Sequence, residues 1–510
     1  MSSPSRDTPV RGPVRAGLLA TVVVIVCASV TYESPLTATP QAGDPAVAPV
    51  DEVAAEAPSS QAVRARYLAA GQWLVSLVIS DESLNDPARG ILANPEGRGR
   101  EWEREGWLSM YDGTELAFAT KVGVRLQGSS GRTSGREAFR FHFRREYGLA
   151  RIPPGGPLKT MARRPDQMIV RQPQTMPHTQ PMAFEIARRI GAVAPAATSV
   201  RFVLNGSLRP RAYELTEHVS REGWGESFFG HDDFLFYQFR GDRSPADEEG
   251  YRKLRDWVAG TPEPMRVEQA AERIDVDNLI RHALTIIYCG TSDWAQGAAV
   301  LETRSPQSRW FWVLWDLDQS FWQNSDTPWQ RPSMRLLTAP ARPNERTDLR
   351  AILLQRLLRE DPAFARRFAA EVAETLNHRL TPEFLRDLVT RYQALHVREA
   401  PFRDMNLQAY FDHRADVVFD AVASALGQPR PHEVRVDART GTRLEIDGHE
   451  RESPYVGRYF DGQTVSVRAI GGDATARGTW QVNGGPAAGG GSAESVRVQV
   501  DADTRISLVE

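Results

Sequence analysis

The chain contains only two cysteines and three lysines, and this scarcity narrows the chemistry open to it. Cys27 lies in an apolar N-terminal segment, so loss of that segment would leave Cys289 alone and exclude an intrachain disulfide. The other 59 of the 62 basic residues are arginines, so a reaction that needs a lysine has only Lys121, Lys159 and Lys253. No HExxH, GxSxG or GxxxxGK[ST] pattern occurs, which argues against a zinc protease, an α/β-hydrolase and a P-loop protein.

A strong charge of one sign is missing as well. The net charge is −3 and the pI is about 6.4, so nucleic acid is not a predicted partner. With 41% hydrophobic and 25% charged residues, the composition is that of a globular protein, which excludes a wholly disordered chain and a polytopic membrane protein. At roughly 150 residues per domain, 510 residues correspond to about three domains.

The one long apolar run lies near the N-terminus. Residues 1–15 carry three arginines and one acid, and residues 16–30 are 15 uncharged, mostly apolar residues. A transmembrane helix needs about 20 such residues, whereas a signal peptide needs roughly 7–15 after a basic start. This predicts a signal peptide over 1–31, with an uncleaved membrane anchor as the alternative, and therefore an extracytoplasmic protein. Residues 32–61, rich in proline and alanine, predict a disordered linker.

The body of the chain changes from strand patterns to helix patterns. The segments WLVSLVIS, VGVRLQG and EAFRFHFRREYG predict strands, and SVRFVLNGSLRPRAYELTEHV predicts a hairpin with its turn at Asn205-Gly206. Helical patterns cover 179–192, 268–288 and nearly all of 347–426, and a hydrophobic strand is predicted over 309–316. From about 432 the chain alternates again like strands. We therefore expect an α+β fold with a body over 62–428 and a small β-rich domain over 432–510.

The strongest candidate site is acidic. Asp316 and Asp318 follow the predicted strand 309–316 in the sequence WDLD, and Asp293 lies 23 residues upstream after a predicted helix. Carboxylates at the end of a strand suit Mg²⁺, and a hairpin would bring Asp293 to them. Solvated turn acids that cap neighbouring elements are the alternative.

A glycine-rich loop is the second candidate. Gly128, Ser129, Ser130, Gly131 and Gly135 lie between two predicted strands, and the exposed amides of such a loop can bind phosphate. No helix is predicted after the loop, so it is not a P-loop, and an ordinary long hairpin remains the alternative.

Six segments follow one another along residues 70–425: GILANPEGRGREWEREGWLSMYDG, GVRLQGSSGR, EAFRFHF, VRFVLNGSLRPRAYELTEHV, DNLIRHALTIIYCGTSDW and RWFWVLWDLDQSFW. In content and order they resemble motifs of the CotH kinase family of spore-coat protein kinases. Among these motifs are the G-x-R-x-x-G loop, the K-x-F-R strand, the Y-x-L-x-E strand and the W-D-x-D strand end.

The resemblance implies an atypical, two-lobed protein-kinase-like fold, with a sheet-rich N-lobe and a helical C-lobe. It implies that the protein binds ATP with Mg²⁺ or Mn²⁺ and transfers phosphate to Ser or Thr of a partner protein, whose identity the sequence does not indicate. The implied roles are catalysis for Asp293, metal binding for Asp316 and Asp318, and nucleotide binding for Gly128, Ser129, Ser130, Arg132, Arg136 and Glu217.

Two positions depart from the family pattern. Arg136 and Glu137 stand where the K-x-F-R motif has lysines, and arginine is not equivalent to lysine as a phosphate ligand. Ala298 stands five residues after Asp293, where a kinase loop has a metal-binding asparagine, and Gln296 is the nearest amide. Two hypotheses therefore stand, an extracytoplasmic kinase with a weakened metal site and an inactive relative that acts as a binding or structural protein at the surface or envelope.

Overall fold

The computed structural model describes residues 73–113, 115–128, 132, 135–153, 158, 164–174, 176–241, 243–321, 325–334, 348–394, 407–439, 442–470, 478–487 and 495–509. The predicted signal peptide or anchor, the predicted linker, Ser129 and Ser130 lie outside the described residues. Those predictions therefore stay predictions.

The strands of the first sheet all lie in the first half of the chain. They are β1 (Trp73–Val78), β2 (Arg104–Asp112), β3 (Glu115–Leu126), β4 (Ala138–His142), β5 (Gln167–Arg171), β6 (Ala197–Leu204), β7 (Ser207–Leu208) and β8 (Tyr213–Glu217). Their order is β1-β2-β3-β4-β5-β8-β6-β7, and β1 also pairs with β6 in parallel. Seven strands thus form a ring, called the closed sheet below, and β7 extends it as a short hairpin.

Successive side chains along each strand point alternately into the interior of the closed sheet and away from it. Phe139 and Phe141 of β4 lie in its apolar interior, so Arg140 and His142 of the same strand project from its outer face. The hairpin after β6 turns at Asn205-Gly206, as the sequence predicts, and both residues have positive φ angles of 48° and 77°.

Two further groups of strands follow. A three-stranded sheet has the order β11-β10-β9, built from β9 (Phe234–Gln238), β10 (Ala298–Glu302) and β11 (Phe311–Val313). The remaining strands are β12 (His432–Asp437), β13 (Arg443–Ile446), β14 (His449–Glu452), β15 (Tyr455–Tyr459), β16 (Gln463–Ile470), β17 (Thr479–Val482), β18 (Gly485–Pro486), β19 (Ser495–Val500) and β20 (Thr504–Val509). They form two sheets, of order β15-β12-β20-β17-β18 and β14-β13-β16-β19.

The longer helices lie mainly after the closed sheet. The α-helices are α1 (Asp81–Asn85), α2 (Thr179–Ile190), α3 (Glu226–Phe229), α4 (Pro245–Gly260), α5 (Val267–Ala271), α6 (Val276–Cys289), α7 (Leu349–Glu360), α8 (Pro362–Glu374), α9 (Pro382–Ala394) and α10 (Leu407–Ala425). Short 3₁₀ turns cover Arg100–Trp102 and Pro328–Gln330, and π-helical turns cover Arg221–Gly225 and Thr375–Arg379. Most of these helices share one large apolar core around α6.

Two sequence predictions differ from the observed elements. The helix predicted over 268–288 is divided into α5 and α6, because Asp275 caps α6 by accepting a hydrogen bond from the Asn278 N–H. The strand predicted over 309–316 is shorter, since Trp310 forms an isolated bridge with Ile274 and only residues 311–313 pair with β10. A local cap thus divides the predicted helix, and tertiary pairing sets the length of the predicted strand.

The C-terminal strands begin at His432, where the sequence pattern changes. Their two sheets enclose a separate apolar core. Arg458 of β15 nevertheless forms ion pairs with Asp416 and Asp420 of α10, at 2.8 and 2.7 Å. The division into separate domains over 62–428 and 432–510 therefore stays a prediction.

The chain has an α+β fold, as the sequence predicts, with a sheet-rich first half followed by helices. Closure of the first sheet was not predicted. No helix in the described part of the chain combines the length and the apolar character that crossing a bilayer requires.

Candidate functional site

The WDLD acids lie on a sharp turn directly after β11. Asp316 has a φ of 59°, in the left-handed region that few residues other than glycine, asparagine and aspartate adopt readily. Its side chain is 24% exposed, whereas that of Asp318 is 4% exposed. The turn therefore presents one accessible carboxylate and one buried carboxylate.

Asp293 is placed at the same end of the β10–β11 hairpin. The two strands pair antiparallel with Ala298 opposite Val313, so the loop before β10 and the turn after β11 are neighbours. Gly297 allows this approach, because its φ is 103° and a Cβ there would collide with the Val313 carbonyl oxygen. The Ser292 hydroxyl also donates to the side-chain oxygen of Gln319, at 2.7 Å.

Arg171 connects the closed sheet to the WDLD acids. Its guanidinium lies 3.1 Å from Asp316 Oδ1 and 3.3 Å from Asp318 Oδ2, and its Nε donates to Glu214 Oε2 at 2.8 Å. Arg171 also donates to Gln180 Oε1 of α2, at 2.8 Å. We call Arg171, Glu214, Asp316 and Asp318 the acid cluster. With all four groups ionised, three carboxylates and one guanidinium leave a formal charge of minus two.

Burial and mutual repulsion set the proton affinities in the acid cluster. Burial raises the pKa of Asp318, and the charges of Asp316, Glu214 and Asp293 act in the same direction while Arg171 opposes them. Burial also raises the pKa of Glu214. Although burial acts to lower it, the charges of the three acids hold the pKa of Arg171 above its usual value. Burial and repulsion thus favour protonation of Asp318 and Glu214, and a cation bound beside them would favour their ionised forms.

A metal ion would fit the acid cluster only together with a ligand. Among the described residues, no group of three or more His, Cys, Asp or Glu side chains is arranged to hold a metal. Mg²⁺ in phosphate-transfer sites is usually held by one or two carboxylates plus phosphate oxygens and water. The surplus negative charge and the oxygen donors of Asp316 and Asp318 fit such a shared site.

The two glutamates of β8 lie on opposite faces. Glu214 faces Arg171 on the outer face. Glu217 points toward the interior of the closed sheet and accepts a hydrogen bond from the Ala196 N–H at 2.6 Å. Burial raises the pKa of Glu217 to about 7, with the Ala196 N–H and Arg188 opposing it. The structure therefore brings Glu214, not the predicted Glu217, to the acids.

The described part of the glycine-rich loop is held by backbone contacts. Gly128 follows β3 with a φ of 97°. Arg132 donates to the carbonyl oxygens of Gly128 and Gly97, both at 2.7 Å, and to that of Leu126 at 2.5 Å. These contacts stabilise the loop conformation, so most of the Arg132 donors are already engaged. Arg136 is half-buried just before β4.

The two positions that follow Asp293 differ in environment. Ala298 is the first residue of β10, and its buried side chain packs in an apolar cluster. Gln296 instead donates from Nε2 to Asp293 Oδ2, at 3.1 Å. Buried Arg350 of α7 holds the same loop by donating to the carbonyl oxygens of Gln296 and Trp294. Gln296 is therefore an amide in direct contact with Asp293.

Sequence reasoning missed Arg171, Glu214 and Arg350. Arg171 and Glu214 are charged residues of β5 and β8, two strands that are almost wholly buried, whereas a charged residue is usually expected at the solvent-exposed face. The partners of Arg171 lie 145 and 147 residues away along the chain, so no local spacing indicates the contacts. The Y-x-L-x-E pattern drew attention to the last residue of YELTE, although the alternation places Glu214 on the other face.

Comparison with known proteins gives a family match for one segment of the chain. No protein with a curated description matches the chain. Residues 235–420 match the model of the family described as CotH kinase protein. This segment includes Asp293, Asp316 and Asp318, whereas the closed sheet precedes it. The resemblance seen in the sequence is thus confirmed over residues 235–420, which carry the chain's match to the CotH kinase family.

Proposed function

We propose that the protein is an extracytoplasmic kinase that binds ATP with Mg²⁺ or Mn²⁺ and transfers phosphate to Ser or Thr of a partner protein. In this proposal the closed sheet and the helical part correspond to the two lobes of a kinase. The observation that carries the proposal is the acid cluster with Asp293 beside it, inside the segment that matches the CotH kinase family.

The arrangement suits phosphate transfer because that reaction depends mainly on positioning and on neutralisation of charge. Asp316 and Asp318 would hold a divalent cation shared with the phosphates, and that cation would neutralise their charge. Asp293 is 32% exposed at its side chain, so a hydroxyl of an acceptor can approach it. The Gln296 amide donates to Oδ2 of Asp293 and so orients this carboxylate. Oδ1 lies 4.0 Å from the exposed guanidinium of Arg240, which would have to yield for Oδ1 to accept the proton of the hydroxyl.

Arg171 would serve two purposes in such a site. It holds Asp316 and Asp318 in position in the absence of a nucleotide, which limits repulsion between the two carboxylates. It also supplies a fixed cation on the closed sheet. Within the described residues, Lys121 instead pairs with Glu105 and Lys253 with Glu249, both on exposed surfaces.

An inactive relative that acts as a binding or structural protein is the second candidate. The observation that favours it is also Arg171, because a guanidinium already paired with both WDLD acids competes with a metal for them. In this case the site would be a stable ion-pair network between the closed sheet and the WDLD turn.

Phosphate transfer with labelled ATP separates the two candidates. The purified protein is incubated with Mg²⁺ or Mn²⁺, and labelled Ser or Thr residues are located by mass spectrometry. We expect labelling in the wild type and none in Asp293→Ala, while ATP binding by Asp293→Ala stays within about twofold. Equal labelling of both proteins would contradict the role of Asp293, and no labelling of either would favour the inactive relative.

A further inference from the structure

A second charged region lies on the same outer face of the closed sheet, on β3 and β4. Arg125 of β3 stands directly opposite Arg140 of β4 in the antiparallel ladder. Like charges in directly opposed positions destabilise a sheet unless another group compensates them. Their placement therefore requires an explanation.

The carboxylates of this region do not balance its arginines. Buried Glu103 pairs with both Arg125 and Arg144, at 3.4 and 2.9 Å. Among the described residues, no carboxylate lies within ion-pair distance of Arg140, which donates from Nε and Nη2 to the neutral Gln127 Oε1. The charge of Glu222 also acts on all three arginines, so three arginines and two glutamates leave a formal charge of plus one.

Arg140 is half-buried on the outer face of the closed sheet. Burial lowers the pKa of Arg140 to about 9, and the charges of Arg125 and Arg132 lower it further while Glu222 opposes them. Burial and the neighbouring arginines also lower the pKa of His142 to about 2, so its ring is neutral. A guanidinium has five N–H groups, and Gln127 accepts only two of those of Arg140. The remaining donors suit an anion.

This region and the acid cluster lie on the same face of the closed sheet, on the neighbouring strands β4 and β5. Ala138 pairs with Arg171 across β4 and β5, so Arg140 lies two residues along the neighbouring strand on the same face. Strand spacing places their Cα atoms about 8 Å apart. Burial and the charge of Arg140 lower the pKa of His218. The ring of His218 in turn lies 6.2 Å from that of Trp315 in the WDLD turn. Arg140 and the acid cluster are therefore neighbours on the outer face of the closed sheet.

We propose that Arg140, with Arg125 beside it, forms a binding site for a phosphate group of the ligand held at the acid cluster. The inference rests on the proposed function and assigns to β4 the phosphate contact that the sequence places in the glycine-rich loop and at Arg136. Guanidinium binds phosphate through parallel hydrogen bonds, and a desolvated, uncompensated guanidinium gains most from such a partner.

Calorimetric titration with inorganic tripolyphosphate in the absence of metal tests the site. We expect 1:1 binding to the wild type, at least tenfold weaker binding to Arg140→Gln, and binding within twofold of wild type for Arg209→Gln. Arg209 is a matched control, because this arginine of the closed sheet already has a carboxylate partner, Glu137, at 2.6 Å. Equal binding by Arg140→Gln, or no binding by the wild type, would overturn the proposal.

Thermal unfolding without ligand separates a binding role from a structural one. Arg140→Gln removes an uncompensated charge and keeps an amide donor for Gln127, so its Tm should equal or exceed that of the wild type. A Tm lowered by 5 °C or more would overturn the proposal.

If Arg140→Gln cannot be purified, Arg140→Lys takes its place in the titration. This variant should bind tripolyphosphate several-fold more weakly than the wild type, and undiminished binding would overturn the proposal. Arg140-dependent tripolyphosphate binding without ATP binding would uphold this site and refute the proposed function.

Discussion

Arg171 and Arg140 lie on neighbouring strands of one face of the closed sheet, yet their surroundings are opposite. Arg171 contacts three carboxylates, and with all groups ionised its cluster has a formal charge of minus two. Arg140 contacts a neutral amide, and its region, with Glu103 and Glu222 counted, has a formal charge of plus one. Two groups of opposite charge on one face would form direct ion pairs if they served only the fold. Among the described residues Arg140 instead has no carboxylate at ion-pair distance, which suits a ligand that brings both a cation and phosphate groups.

The largest effect is expected from removing the arginine of the acid cluster. Arg171→Met leaves Glu214, Asp316 and Asp318 close together without their cation, and loss of one partner from a buried ion pair costs about 3–5 kcal/mol. We expect the free energy of unfolding, measured with urea, to fall by about that amount. Mg²⁺ at millimolar concentration should restore part of the loss.

Lys121→Met is the matched control for Arg171→Met. Lys121 lies on the same closed sheet and pairs with Glu105, but its side chain is 45% exposed, and exposed ion pairs contribute only about 0–1 kcal/mol. If Arg171→Met were no more destabilised than Lys121→Met, the acid cluster would not depend on its arginine.

A smaller, pH-dependent effect is expected on the opposite face of β8. Folding favours the protonated form of Glu217, because its pKa of about 7 in the folded protein exceeds the usual 4.5. This contribution to stability is present in full below about pH 4.5 and is lost as the pH rises through about 7. Glu217→Gln imitates the protonated form, so the variant should match the wild type at pH 4.5 and exceed it by up to about 3 kcal/mol at pH 8.

Urea unfolding of wild type and Glu217→Gln at both pH values provides the test, since their difference isolates this one group. A difference that does not change with pH would show that Glu217 titrates alike in the folded and unfolded protein. Titration of ATP into the same two proteins bears on the site. If Glu217 binds nucleotide, the variant should bind ATP more weakly, whereas the hydrogen bond of Glu217 with the Ala196 N–H predicts an unchanged ATP affinity.

The sequence was sufficient for features that depend on local pattern. The strand WLVSLVIS, the helix that stops at Gly191 and the turn at Asn205-Gly206 each have a short-range signal, and each is present. The WDLD acids were recognisable because two carboxylates after a hydrophobic strand form an unusual local pattern.

Features that depend on pairing between distant segments could not be predicted from the sequence. Closure of the sheet requires β1 to pair with β6, more than 120 residues away, and no local pattern in either strand indicates this pairing. Arg171 and Arg140 look alike in sequence, as arginines in half-buried strands. Only the fold decides that one meets three acids and the other an amide. The unbalanced charges were therefore invisible until the strands were placed side by side.

If the acid cluster holds a divalent cation together with ATP, the affinity for ATP depends on that cation and on Asp316. Calorimetric titration of ATP into wild type and Asp316→Asn tests this, each with Mg²⁺ and with EDTA, and with Asp326→Asn as an exposed acidic control. We predict that Mg²⁺ tightens ATP binding at least tenfold in the wild type and in Asp326→Asn, and leaves it unchanged in Asp316→Asn. Equal ATP affinity of the wild type with and without Mg²⁺, or no binding in either condition, would contradict the claim.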